Sequence, residues 1–209
     1  MNLVLKYVYI FFRKKSQPEI PENMKYLIAG LGNMHPEYDD TRHNIGFDVL
    51  DVMAEEAGIP WKLSHLGALA ELKFRGRKLI LLKPSTFMNR SGKSVKYWMD
   101  REKIPIDRLM VVADDIHLPY GTIRIRPKGS DGGHNGLRDV QNHLNTTNYP
   151  RMKLGIGNAF YPGQQSDYVL GKWSADERQL MPDILQKAGD GIRAFTISGI
   201  EQAMTRYNG

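Results

Sequence analysis

Two short polar loops hold the residues best suited to chemistry: Thr41-Arg42-His43-Asn44-Ile45-Gly46 and Asp131-Gly132-Gly133-His134-Asn135-Gly136. Each joins an imidazole, which exchanges protons near neutral pH, to a carboxamide, which can hold a carbonyl or an amide in place. The first loop lies just downstream of an apolar run ending in Ala29-Gly30-Leu31-Gly32-Asn33. That combination points to hydrolysis of a positioned ester or amide.

The segments around these loops alternate between strand-like and helix-like patterns. Tyr26 to Ala29 is short and apolar and runs into glycines, as expected of a buried strand feeding a tight loop. Ile45, Val49, Leu50, Met53, Ala54 and Ala57 recur at helical spacing, with Asn44 placed to cap the start and Gly58 to stop the end. Ala68 to Phe74 and Lys78 to Lys83 flank Arg75-Gly76-Arg77 and predict a hairpin. A helix opens near Ser91 and carries Val95, Trp98 and Met99. Leu109 to Ala113 reads as a central strand ending at Asp114, Thr122 to Arg126 as an alternating strand, and Met152 to Ile156 as a third, with a helix through Leu137, Val140 and Leu144 between the last two. Ser174-Ala175-Asp176-Glu177 is a capping box for a C-terminal helix in which Pro182 is expected near the first turn and Gly189 and Gly191 weaken the later part.

This order predicts one α/β domain with a twisted, mixed, largely parallel sheet flanked by helices, its site on the loops after the C-terminal ends of strands. Asn33, His43 and Asp114 all fall there. A carboxylate accepting one imidazole N–H fixes the tautomer and leaves the other nitrogen free to take a proton from water. His43 is therefore the expected base and Asp114 its partner. Taken singly, each reads as a cap on a helix or turn; their joint placement among several carboxamides favours chemistry.

Composition narrows the class. At 209 residues, 41% hydrophobic and 25% charged, the chain is an ordinary globular domain with enough length for a substantial core. Cysteine is absent, which removes disulfides and thiolate metal sites and suits a reducing compartment. The net charge of +6 favours a polyanionic partner. Residues 1–23 differ from the rest: the apolar run Leu3 to Phe12 is far short of the ~20 residues a spanning helix needs, its basic residues Arg13-Lys14-Lys15 follow it, and Pro18 and Pro21 lead into Met24. They read as a dispensable N-terminal extension or an upstream translation start, with residues 24–209 as the domain.

The motifs together resemble the bacterial-type peptidyl-tRNA hydrolase family. The resemblance spans nearly all of residues 24–207 and rests on Gly30-Leu31-Gly32-Asn33 with Tyr38 and the His43 loop, Lys83-Pro84-Ser85-Thr86-Phe87-Met88-Asn89-Arg90-Ser91-Gly92, Asp114 with Leu118-Pro119-Tyr120-Gly121, and Gly132-Gly133-His134-Asn135-Gly136-Leu137. It implies hydrolysis of the ester between a peptide and the 3′-terminal ribose of tRNA, which frees tRNA for reuse. It further implies a cytoplasmic monomer that needs no metal or other cofactor and does not engage membranes.

On matching residues, the resemblance makes His43 the base, Asp114 its orienting partner, and Asn33 the group that tells a blocked amino group from a free one. Asn89 and Asn135 would hold the peptide backbone and the reacting carbonyl or water, with Asn89 the better candidate for stabilising negative charge. Tyr38 and Phe87 would line the cleft. Among the cations Arg124, Arg126, Lys128 and Lys153, it assigns Arg126 and Lys153 to the tRNA 5′ phosphate. The chain departs from the family where Met34-His35-Pro36 follows Asn33, where Ala113 precedes Asp114, and where His117 replaces an acid; His35 and His117 read as surface or loop residues.

Other chemistries fit less well. Gly30-Leu31-Gly32 starts like a dinucleotide fingerprint, but His35 stands where the third glycine belongs. There is no H-E-x-x-H zinc motif, and Ser85, Ser91 and Ser94 lack a G-x-S-x-G elbow. The alternative from another class is a non-enzymatic RNA-binding relative of the splicing-factor kind. The presence of His43, Asp114, Asn33 and Asn89 favours the enzyme.

Overall fold

The computed structural model describes Pro21 and residues 24–209. Apart from Pro21, the expected N-terminal extension lies outside the described residues. The strands are β1 (Lys25–Gly30), β2 (Lys62–Ser64), β3 (Gly67–Phe74), β4 (Arg77–Pro84), β5 (Leu109–Asp115), β6 (Ile123–Arg126) and β7 (Arg151–Gly155). The helices are α1 (Ile45–Glu56), α2 (Ser91–Glu102), α3 (Asn135–Leu144), α4 (Gln165–Val169) and α5 (Ala175–Tyr207).

The strands form one seven-stranded sheet in the order β2-β3-β4-β1-β5-β7-β6. The central pairings β4-β1, β1-β5 and β5-β7 are parallel, and the flanking ones are antiparallel. The mixed α/β architecture read from the sequence is therefore present, its parallel part confined to the middle, where helices cover both faces.

Alternation along the strands divides the apolar side chains between two layers. Ile28, Met110, Val112, Met152 and Leu154 pack with Val49, Leu50 and Met53 of α1 and with Leu185, Ala188, Ile192 and Phe195 of α5. Leu27, Ala29, Ile80, Leu82 and Val111 pack on the other side with Val95 and Trp98 of α2 and with Leu137 and Val140 of α3. Each of the larger of these side chains contributes roughly 1.5–3 kcal/mol by leaving water.

One backbone approach fixes α1 against the sheet. A Cβ on Gly30 would stand 2.2 Å from the Gly46 carbonyl oxygen, and one on Gly46 would stand 2.6 Å from the carbonyl oxygens of Leu31 and Val112. The start of α1 thus rests directly on the ends of β1 and β5, a contact that only glycine permits.

Two local expectations are corrected. Asn44 makes no side-chain cap on α1 and is used elsewhere. Pro182 lies eight residues into α5 rather than in its first turn; it is on the exposed side, where water can serve the carbonyl it leaves without a helical donor. The helix runs on to Tyr207 with a break at Gly199, whose φ of 82° is not helical. The capping box is formed: Ser174 Oγ accepts the Glu177 N–H, and Glu177 accepts the Ser174 N–H. The short elements β2 and α4 were not legible in the pattern.

Candidate active site

β5 is buried along its whole length and ends in two carboxylates, Asp114 and Asp115. Successive residues of a strand face opposite ways. Asp114 accordingly turns to the His43 loop and Asp115 to Lys153, whose ammonium lies 2.9 Å away.

The His43 loop is held by three neighbours pulling in three directions. Arg42 grips Glu177 with two hydrogen bonds of 2.8 and 3.3 Å and stacks on Tyr168 at 4.5 Å. Asn44 accepts the Asn33 N–H at 2.8 Å and donates to the Asn33 carbonyl at 3.0 Å, both residues being buried. Between them, His43 Nδ1 donates to Asp114 Oδ1 at 2.8 Å. Gly46 supplies the close contact behind. Arg42, His43, Asn44 and Gly46 therefore each have a distinct physical task, and the His43 Nε2 lone pair is left without a partner among the described residues.

A second imidazole joins the same carboxylate oxygen. His134 Nε2 lies 3.0 Å from Asp114 Oδ1, while its Nδ1 accepts the Leu137 N–H as the N-cap of α3. The cap fixes the proton on Nε2, so His134 is a donor to Asp114 and has no free basic nitrogen there. The sequence singles out the loop of His134 but gives the residue no role, because histidine is not among the residues that ordinarily mark an N-cap.

Charge follows from this geometry. Burial disfavours the Asp114 anion, but the two imidazoles outweigh it and hold the carboxyl well below the usual range. Burial also opposes protonated His43, yet the charge and hydrogen bond of Asp114 prevail and raise its pKa. Among the described residues, His43, Asp114 and His134 form the group whose donor atoms, within 4.8 Å of one another, could hold a metal. A metal on His134 Nε2 would need the ring proton on Nδ1, where the Leu137 N–H already points. The donor set suits hydrogen bonding rather than a cation.

A cleft of about 650 Å³ opens over this centre, and Asn33, Tyr38, His43, Phe87, Asn89, Asp114 and Asn135 all line it. Asn33 Oδ1 accepts the Met88 N–H at 2.8 Å, which sets the amide orientation and leaves Nδ2 as the available end. Asn135 Oδ1 accepts from Arg138 at 3.3 Å, again leaving the amino group available, and Asn89 is exposed without a partner among the described residues. Three amide groups thus line the same cleft as His43. Phe87 stands 60% exposed in the lining, which also includes Val169 and Leu170 at the end of α4.

Arg126 and Lys153 are outside the cleft lining. The β6-β7 register sets Arg124 across from Lys153 and Arg126 across from Arg151. Arg126 and Lys153 are diagonal neighbours on one face, with Arg126 exposed and Lys153 engaged by Asp115. His35 and His117 are exposed, as expected.

The sequence pattern of a family described as peptidyl-tRNA hydrolase matches residues 27–209. The chain belongs to the peptidyl-tRNA hydrolase family. It is 51% identical over 185 residues to a peptidyl-tRNA hydrolase of Cytophaga hutchinsonii, covering 88% of this chain and 98% of that protein. To the one from Parabacteroides distasonis it is 49% identical over 185 residues, with 88% and 99% covered. The crystal structure of peptidyl-tRNA hydrolase from Acinetobacter baumannii superposes with a TM-score of 0.83 at 34% identity, covering 88% of this chain and 94% of that one. These relationships confirm the resemblance read from the motifs and the fold class.

Proposed function

We propose that the protein hydrolyses the ester joining a peptide, or any N-blocked aminoacyl group, to the 3′-terminal ribose of tRNA. The observation that carries this reading is the His43–Asp114 pair, with the second imidazole nitrogen unpartnered in a cleft bordered by amide donors. Water gives a proton to His43 Nε2 as its oxygen attacks the ester carbon. Asn89 donates to the developing oxyanion. When the tetrahedral intermediate collapses, His43 returns the proton to the departing 3′ oxygen, giving a tRNA hydroxyl and a peptide carboxylic acid, which releases its remaining proton to solvent. General-base assistance supplies about 100- to 10,000-fold, and positioning in the cleft supplies much of the remainder.

Asn33 selects the blocked substrate in a way its orientation defines. Its available Nδ2 donor fits the carbonyl oxygen of an N-acyl group, whereas a free aminoacyl ester presents an ammonium, which offers only donors. Asn135 holds the peptide backbone, and Tyr38 and Phe87 bracket the chain. Arg126 and Lys153 take the tRNA phosphate. The protein works as a cytoplasmic monomer; no helix among the described residues is long and apolar enough to cross a membrane. The catalytic unit is residues 24–209, and removal of residues 1–23 leaves turnover unchanged.

Release of labelled N-acetyl-aminoacyl groups from tRNA, beside free aminoacyl-tRNA, tests the reading. Turnover of the first substrate in preference to the second, lost in His43→Ala, is the expected result. Tight RNA binding with no turnover above that variant would select a non-enzymatic binder instead.

A further inference from the structure

The Asp131–His134 turn is built on Gly132 and Gly133, both in the left-handed region at φ 63° and 85°. Asp131 Oδ1 accepts the Gly133 N–H, and the Asp131 carbonyl accepts the His134 N–H. From outside, one side chain reaches the Gly132 carbonyl: His117 Nε2, at 3.2 Å. His117 is itself held by its backbone N–H, which donates to Asp115 Oδ1 at 2.7 Å, while Asp115 Oδ2 binds Lys153. Lys153 in turn lies against the turn, since a Cβ on Gly132 would stand 3.1 Å from its Nζ.

These contacts form a closed strut. It runs from Lys153 through Asp115 to His117, from His117 to Gly132, and along two residues of backbone to His134, which donates to Asp114. We propose that His117 is a positioning residue for hydrolysis: its Nε2–H fixes the Gly132 carbonyl and so aims the His134 donor at the carboxylate that orients His43. The carbonyl oxygen selects the Nε2–H tautomer. An acid at position 117 would instead face the same carbonyl oxygen as an acceptor, so the strut belongs to the histidine that this chain carries. The inference rests on the hydrolytic reading of the cleft and adds a residue outside it.

The test compares His117→Ala, His117→Gln, His134→Ala and the double variant His117→Ala/His134→Ala in release of N-acetyl-aminoacyl groups from tRNA. His117 is exposed, so its own single variants keep the fold. Losing one such hydrogen bond corresponds to about a fivefold fall in kcat, with KM unchanged, and His117→Gln, whose amide can donate to the same carbonyl, restores most of it. In the His134→Ala background the His117 substitution has no further effect, because the two act in series. Equal kcat for wild type and His117→Ala, or losses that multiply in the double variant, would overturn the proposal. Exchange of the His134 Nε2 proton with water, followed by NMR in nitrogen-15-labelled protein without substrate, separates this inference from the parent reading. Faster exchange in His117→Ala upholds the strut even if the wild type fails to release the acyl group, and unchanged exchange removes it.

Discussion

His43 and His134 stand 4.9 Å apart, ring centre to ring centre, because both donate to one oxygen of Asp114. The two imidazoles are not equivalent. The helix cap occupies the remaining nitrogen of His134, whereas that of His43 is unpartnered. One carboxylate therefore orients one ring with a free nitrogen and one fixed donor, and what separates them is the side-chain cap that His134 makes on α3.

Activity should rise with pH through the His43 titration, since only the neutral ring accepts a proton, and the limb should lie above the ordinary histidine value because Asp114 favours the cation. Asp114→Asn removes that charge and moves the limb to lower pH, while kcat falls by about 100- to 10,000-fold through loss of tautomer and orientation. For stability the sign is opposite. A histidine with a raised folded pKa contributes fully below its unfolded value, and that contribution fades as pH rises through the folded one. Rate profiles and thermal melts over the same pH range check both.

Asn44→Ala should cost about 1–3 kcal/mol, since the Asn33 backbone N–H and carbonyl would lose their side-chain partners inside the protein. The Asn33 carboxamide would also lose its fixed origin. Denaturant unfolding gives the first quantity. A reduced preference for N-acetyl-aminoacyl-tRNA over free aminoacyl-tRNA gives the second.

Neutralising either cation of the β6-β7 face should weaken tRNA binding and lower the salt slope by roughly 0.7–0.9 per phosphate contact. The two differ in side effects. Arg126 is exposed and, among the described residues, bonds only its neighbour's carbonyl, so Arg126→Ala spares hydrolysis of a small ester. Lys153→Ala also strips Asp115 of its counter-charge and should slow that small substrate as well. Titrations at several salt concentrations, with and without the small ester, separate the two effects.

Asp48, in the first turn of α1, has its carboxyl pushed up to about 7 by burial and then by Asp51 and Asp40, with Lys83 opposing. Raised above its unfolded value, it stabilises the fold only while protonated, and that advantage drains away between pH 4 and 7. Asp48→Asn should raise the melting temperature at pH 8, by the equivalent of about 1–2 kcal/mol after solvent screening, and less at pH 5.

The parts of this fold legible in the sequence are those where one residue type answers one physical demand. The glycines of the Gly30 and Gly46 motifs mark the helix-on-strand contact, the Ser174–Glu177 box marks a helix start, and Ile123 and Ile125 alternating with Arg124 and Arg126 mark a strand with one wet face. Asn44 was misread because a carboxamide before a helix looks like a cap, and only the fold brings Asn33 within reach as the better partner. The double use of Asp114 was hidden for a related reason: His43, His134 and Asp114 come from three separate segments, and nothing local ties them. The five residues of α4 are too few to show a period.

The main-chain contact between Gly30 and Gly46 carries the reacting groups on either side of it. Their spacing is inherited from peptide atoms already touching, with no intervening side chain to soften on warming. Catalytic competence should therefore persist up to the melting transition and vanish together with it, without an earlier inactive folded form.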